Sequence, residues 1–100
     1  MKILLILAHP NNQSYNHAIS ISAAAQLQRN GHSVIFHDLY AEGFDPILPF
    51  KEIPTEITLP KDIKQHCDEL RLADGIIIVH PNWWGQPPAI LKGWVDRVMR

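Results

Sequence analysis

The chain has 100 residues, of which 46% are hydrophobic and 19% charged, so one ordinary globular domain is expected. Nine basic residues stand against ten acidic ones, and no basic run could follow a phosphate backbone, which argues against nucleic acid as a partner. No stretch approaches the roughly 20 apolar residues that cross a bilayer, and one cysteine excludes an internal disulfide. A cytoplasmic protein without membrane insertion is therefore expected.

The first third of the chain predicts a strand, a polar loop and a helix. Residues 3–8 are continuously apolar, as in a strand that is buried on both faces of a parallel sheet. Ser14 is predicted to cap a helix over residues 15–29, and Asn30 with Gly31 is a typical helix end. The apolar face of this helix is expected to contain Ala18, Ile19, Ala23 and Leu27.

The remaining residues predict two more strands and two more helices. Residues 33–39 are expected to form the second strand, and the long loop 40–60 carries four prolines. A helix resumes near Lys61, and the β-branched residues 76–79 form a third strand that is expected to be buried on both faces. A last helix is expected from about Pro88 onward.

The order β-α-β-α-β-α predicts an α/β fold with a parallel sheet and right-handed crossovers. The apolar stripe of the last helix is still running at Arg100, and no glycine, asparagine or proline closes it. Three strands would also leave an apolar strand at an open edge. The chain is therefore expected to be the N-terminal part of a longer domain.

Two loops at strand ends are candidates for chemistry. The first, residues 9–16, leads into a helix N-terminus, where free N–H groups and the helix dipole attract phosphate. Gln13, Ser14 and Asn16 could add neutral donors, although capping and turning explain these residues equally well. Neither a dinucleotide-binding glycine motif nor a P-loop is present.

The second loop, residues 81–88, carries two tryptophans and three prolines where polar residues are expected. Such a stiff aromatic wall suits a planar ligand, while the alternative is that Trp83 and Trp84 close a core or a dimer contact. Adjacent residues do not easily both point inward. At least one indole is therefore expected to be available.

Four segments resemble the NAD(P)H:quinone oxidoreductases, the DT-diaphorase family of flavodoxin-like proteins. The resemblance covers the whole chain, and its last segment is the most specific. It also extends to the ancillary flavoproteins of glutathione-gated potassium efflux systems, which share the fold. The segments are residues 7–10 with 14–16, residues 37–41, residues 44–46, and residues 81–94 with 96–98.

The resemblance implies a flavodoxin-like three-layer sandwich, represented by its first three β-α units, and a noncovalent FMN or FAD. It implies that hydride passes from NAD(P)H to the flavin and then to a quinone, in a ping-pong reaction. By this resemblance, the phosphate side of the flavin would be held by His9, Ser14, Tyr15 and Asn16. The isoalloxazine ring would be flanked by Pro81, Asn82, Trp83 and Trp84. Trp84 and Gly85 would border the pocket that NAD(P)H and the quinone share.

Family members are commonly homodimers, so Ile90, Leu91 and Trp94 are candidates for a partner contact. No catalytic acid or base is assigned, because the family's residues for that role lie beyond the segments matched here. Two alternatives stay open. One is a flavin-binding regulatory subunit of a potassium efflux system, and the other is a non-catalytic truncated remnant that folds only with another chain.

The remaining histidines and the cysteine have simpler explanations. His9 and His80 both follow strands, but no third ligand at a recognisable spacing joins them, so no metal site is predicted. The other four histidines, His17, His32, His37 and His66, are expected at the surface or on helix flanks. Cys67 and Trp94 are expected to pack in the core.

Overall fold

Three strands and three helices alternate along the chain, which confirms the predicted α/β order. The computed structural model describes residues 1–100. The elements are β1 (Lys2–Leu7), α1 (Tyr15–Arg29), β2 (Ser33–Asp38), a 3-10 turn (Phe50–Glu52), α2 (Lys61–Leu72), β3 (Gly75–Val79) and α3 (Ala89–Val98). Each predicted boundary agrees with the structure to within about one residue. No helix of the chain combines the length and the apolar character that crossing a membrane requires.

The sheet is parallel, with the strand order β2-β1-β3. Leu5 in the central strand pairs with Phe36 on one side and with Ile77 on the other. Residues 3–8 are at most 6% exposed, so the prediction that β1 is buried on both faces is confirmed. Leu4 and Ile6 belong to the core that α2 and α3 cover.

The prediction that β3 is buried on both faces is wrong. Ile76 is 39% exposed and Ile78 is 37% exposed, whereas their neighbours along the strand are half-buried. These side chains are exposed because β3 is an edge strand of this sheet and only one of its faces is covered. An open apolar edge is a surface on which another strand can pair.

Helix α1 has the predicted limits but a different buried face. Ser14 caps it, since the Ser14 Oγ accepts a hydrogen bond from the His17 N–H at 3.1 Å. Ala18 and Ile19 are exposed, and the buried residue is Ser20. The Ser20 hydroxyl donates to the Asn16 carbonyl at 3.0 Å, so this small polar side chain is satisfied inside the helix while it faces the sheet.

Helix α3 completes the core of the chain itself. Leu91, Trp94 and Val98 are at most 4% exposed and pack with Ile63 and Cys67 of α2. The expectation that Leu91 and Trp94 face a partner subunit is therefore wrong. Cys67 is 4% exposed within this core, which confirms the prediction that it packs there, and the burial raises the pKa of its thiol.

The long loop after β2 is fastened to α3 by a buried ion pair. The Arg97 guanidinium donates to the Glu52 carboxylate at 2.6 and 3.1 Å, and Arg97 also donates to the Asp45 carbonyl at 2.8 Å. Glu52 is fully buried and Arg97 is 4% exposed. The loop is consequently a fixed part of the fold next to the carboxyl edge of the sheet.

Candidate functional site

The three strand exits lie side by side at the carboxyl edge of the sheet. The Ala8 N–H donates to the Val79 carbonyl at 3.0 Å, and the Leu39 N–H donates to the Leu7 carbonyl at 3.0 Å. The loops after β1, β2 and β3 therefore begin as neighbours, with the first loop in the middle. In open parallel sheets this edge is where ligands bind.

The first loop is held in shape by its own hydrogen bonds. The Asn11 N–H donates to His9 Nδ1 at 3.0 Å, and the Gln13 N–H donates to Asn11 Oδ1 at 2.8 Å. The Ser14 N–H donates to the Asn11 carbonyl at 3.1 Å. Because His9 Nδ1 accepts, the ring proton of neutral His9 is on Nε2, which leaves that nitrogen as a donor.

The start of α1 offers further unused donors. No hydrogen bond within the chain uses the backbone N–H groups of Tyr15 and Asn16. The Ser14 oxygen accepts from His17, so its hydroxyl proton is left to donate. Free donors at the positive end of a helix dipole are groups of the kind that attract anions, and here none of them carries a charge.

A cleft of about 390 Å³ separates the first loop from the β2 exit. The Asp38 carboxylate on its wall is oriented from two sides, since it accepts from the Ala41 N–H at 3.1 Å and lies 3.8 Å from His17 Nε2. The lining residues are His9, Pro10, Asn11, Asn12, Asp38, Tyr40 and Ala41. Of these only His9 is among the predicted site residues, although Asp38, the last residue of β2, lies at the same carboxyl edge and is identifiable by that position.

The second loop forms a tight turn that displays its indoles. The Trp83 N–H donates to the Gln86 carbonyl at 2.9 Å, and the Gln86 N–H donates back to Trp83 at 3.0 Å. Trp84 and Gly85 both have positive φ, 57° and 74°. Trp84 is fully exposed and Trp83 is 42% exposed, which confirms that at least one indole is available.

The two loops touch each other. The rings of His9 and Trp83 meet edge to face, with their centroids 5.9 Å apart. Asn82 and Gly85 are exposed beside them and Pro81 is half-buried. The predicted residues thus form two groups, one at the start of α1 and one on the turn after β3, joined through His9.

The two histidines at strand ends are each held by their own loop. His9 Nδ1 accepts from Asn11, and His80 Nδ1 is hydrogen-bonded to the Pro81 carbonyl at 2.8 Å. The expectation that His37 and His66 lie at the surface is wrong, because they are 8% and 4% exposed. Glu69, which bonds His37, and Trp94, which bonds His66, come from distant parts of the chain, which the local pattern does not reveal.

The comparisons with known proteins agree with this architecture. A family model described as a flavodoxin-like fold matches residues 1–100. An uncharacterized NAD(P)H oxidoreductase of Haemophilus influenzae is 43% identical over 102 residues, which cover 99% of this chain and 50% of that protein. The NAD(P)H dehydrogenase (quinone) 1 of Cavia porcellus is 36% identical over 116 residues, which cover 97% of this chain and 42% of that protein.

Among solved structures, an NAD(P)H:quinone oxidoreductase from Methanothermobacter marburgensis superposes with a TM-score of 0.88 at 31% identity. The match covers 98% of this chain and 52% of that one. The chain therefore spans about half the length of the proteins it resembles.

Proposed function

The chain belongs to the flavodoxin-like fold family over its whole length, and on that basis we propose that it provides the first part of the flavin site of an NAD(P)H:quinone oxidoreductase. The observation that carries this proposal is the juxtaposition of an anion-binding helix start and two exposed indoles at one sheet edge. The names of the relatives from Haemophilus influenzae and Cavia porcellus support the oxidoreductase over the transporter subunit.

The residues of the helix start suit a flavin phosphate. In the proposal the phosphate accepts hydrogen bonds from the N–H groups of Tyr15 and Asn16, the Ser14 hydroxyl and His9 Nε2–H. Gln13 and the Asn16 side chain add neutral donors from the same loop. No lysine or arginine is needed, because the helix dipole compensates part of the anionic charge.

The residues of the second loop suit the flat ring system. Trp83 and Trp84 offer aromatic faces, and Pro81 with Asn82 would flank the isoalloxazine and exclude water from it. FMN and FAD are the two candidate cofactors. When bound, the flavin takes hydride from NAD(P)H and gives it to the quinone. Trp84 and Gly85 would border the space in which NAD(P)H and the quinone alternate.

The assembly and location of the protein follow from the same proposal. We expect a homodimer in the cytoplasm, with the dimer contact formed by residues other than Leu91 and Trp94, which are buried in the core of the chain. Residues that move protons during the reaction are not assigned among these 100.

The direct test of function is the visible spectrum of the purified chain after incubation with excess flavin and desalting. The proposal expects retained flavin that bleaches anaerobically with NAD(P)H and regains its colour when a quinone is added. Flavin that is retained but stays oxidised in the presence of NAD(P)H would contradict the assigned reaction.

Trp84→Asn is expected to stabilise the fold while it weakens flavin binding. A bulky residue in the left-handed region costs about 1–2 kcal/mol, and asparagine tolerates that region better. The indole is fully exposed, so folding loses no contact. We expect urea denaturation to show a gain of about 0.5–1 kcal/mol, and fluorescence titration to show about tenfold weaker FMN binding from the lost aromatic contact.

The matched control for this variant is Phe50→Ser, which removes another exposed aromatic side chain, 88% accessible and outside the two loops of the candidate site. FMN affinity should not change in the control. If Trp84→Asn binds FMN as tightly as the unaltered chain, Trp84 is not part of the flavin site.

A further inference from the structure

Two histidines and two glutamates meet beneath β2, apart from the proposed flavin site. His37 lies on β2, Glu42 follows it in the exit loop, and His66 and Glu69 come from α2. The imidazole rings of His37 and His66 are 4.0 Å apart between centroids and tilted by 32°. Trp94 of α3 closes the group, which joins three elements of the fold.

The hydrogen-bond partners fix the protonation of His66. An indole N–H can only donate, and Trp94 Nε1 lies 3.1 Å from His66 Nδ1, so Nδ1 carries no proton. His66 Nε2 therefore carries it, and lies 3.4 Å from Glu42 Oε1. Burial and the neighbouring His37 lower the pKa of His66, in agreement with a neutral ring.

His37 is in the opposite state. Its Nδ1 lies 2.7 Å from Glu42 Oε2, and its Nε2 lies 2.5 Å from Glu69 Oε2. Carboxylates only accept, so both ring nitrogens donate and His37 is an imidazolium. Burial alone would lower the pKa of His37, but the hydrogen bonds that His37 donates to Glu69 and Glu42 outweigh burial and raise the pKa.

A metal ion is the obvious alternative occupant. Ligand atoms of His37, Glu42 and His66 lie within 4.8 Å of one another. A metal on His66 Nε2 would move the ring proton to Nδ1, where it would face the N–H of Trp94. His37 would also have to lose a proton that two carboxylates hold. The hydrogen-bond pattern therefore fits bound protons and opposes a metal.

We propose that this cluster is a proton-dependent clamp that positions the Asp38–Ala41 wall of the cleft beside the flavin site. The Glu42 N–H donates to the Asp38 carbonyl at 3.0 Å and closes the turn that carries Tyr40 and Ala41. The Glu42 side chain is held by His37 and His66. Holding Glu42 thus holds the turn, and the effect on flavin affinity rests on the proposed function.

The two histidines give opposite pH dependences of stability. The pKa of His37 is raised, so its contribution is complete below about pH 6.5 and is lost as the pH rises through the folded value. The pKa of His66 is lowered, so the unfolded chain gains protons below about pH 6.5 and stability falls there. The clamp therefore contributes most near pH 6.5 and less on either side.

The other charged groups around the cluster act outside this range or at a distance. Burial would raise the pKa of the Glu69 carboxyl, but the hydrogen bonds from His37 and Gln65 lower it, so its contribution is lost only in more acidic solution. On the α1 side, His17 pairs with Asp38 at 3.8 Å. No other charged group forms a hydrogen bond or ion pair with these two histidines.

The protonation pattern can be read directly from long-range ¹H–¹⁵N spectra of the histidine rings in the full chain. We expect His37 to carry protons on both nitrogens at pH 6.5, and His66 to be neutral with its proton on Nε2. A neutral His37 at pH 6.5, or a proton on His66 Nδ1, would overturn the proposal. Stoichiometric Zn²⁺ that raises the Tm of the chelator-treated chain would overturn it as well.

A comparison of Glu69→Gln with Asp68→Asn distinguishes the effect of breaking the clamp from the effect of removing any acidic charge on α2. Glu69→Gln removes one charge that holds the His37 proton. In a plot of Tm against pH, the fall of Tm on the alkaline side (the alkaline limb) should therefore move to lower pH by about one unit or more. The Asp68 side chain is 42% exposed and pairs with Lys64, away from His37, so its variant should keep the position of that limb. Equal profiles in the two variants would contradict the clamp.

FMN affinity followed over the same pH range links the clamp to the cleft. We expect the affinity to be highest near pH 6.5 in the unaltered chain, with the alkaline decline shifted down in Glu69→Gln as in the Tm profile. If FMN affinity stays constant across this pH range while the Tm profile of Glu69→Gln shifts, the cluster does not position the Asp38–Ala41 wall for flavin binding. Failure to bind FMN at any pH would refute the proposed function, whereas the ring spectra and Tm profiles would still decide the clamp.

Discussion

Gly93→Ala is expected to lower the free energy of unfolding by about 3 kcal/mol or more, a large part of the stability of a small domain. A Cβ added to Gly93 would lie 2.2 Å from both the Cβ and the carbonyl oxygen of Pro46. Pro46 cannot move aside easily, because the neighbouring Asp45 carbonyl is bonded to Arg97 at 2.8 Å. The loop and α3 would have to separate.

Urea denaturation measures this loss, and Gly75→Ala is the matched control. A Cβ on Gly75 would meet only the end of the Ile3 side chain, at 3.2 Å, and that end can rotate. We expect the control to cost less than about 1 kcal/mol. Should Gly93→Ala unfold at the same urea concentration as the control, the close approach of α3 to Pro46 is not present in solution.

Glu52→Gln is expected to destabilise the chain by about 3–5 kcal/mol, since it leaves the Arg97 charge buried without its partner. Both side chains are almost completely removed from water. The neutral amide still accepts one hydrogen bond, but it does not balance the guanidinium. Thermal and urea unfolding of the purified variant report the loss.

Two further variants make this prediction specific. Replacing the pair together, Glu52→Leu with Arg97→Met, should recover most of the loss, because apolar side chains need no compensating charge. Asp96→Asn breaks the exposed pair with Lys92 on the same helix and should cost less than about 1 kcal/mol. If Glu52→Gln costs no more than Asp96→Asn, the ion pair is not buried as described.

The order of the elements could be predicted because each carries a local signal. The apolar run 3–8 is typical of a buried strand, and Ser14 with Asn30 marks both ends of α1. The buried face of α1 could not be predicted, because Ser20 is buried through a bond to its own helix while Ile19 is exposed. Hydrophobicity alone ranks these two residues in the opposite order.

The candidate site was predictable where it depends on strand ends. Ser14 and Trp84 lie in the loops that follow two strands identified from the sequence, and both loops leave the carboxyl edge of the sheet. The clamp was not predictable, because His37 and Glu69 are 32 residues apart and become partners only in the fold. A histidine in isolation looks like a surface residue, and only its paired carboxylates make burial acceptable.

Amide NMR of the chain during an FMN titration shows whether the flavin binds where the loops after β1 and β3 meet. We expect the largest chemical-shift changes on Tyr15, Asn16 and Trp84, including the indole N–H of Trp84. Changes concentrated instead in the cleft between residues 55–59 and α2, around Lys64 and Arg71, would refute flavin binding at these two loops.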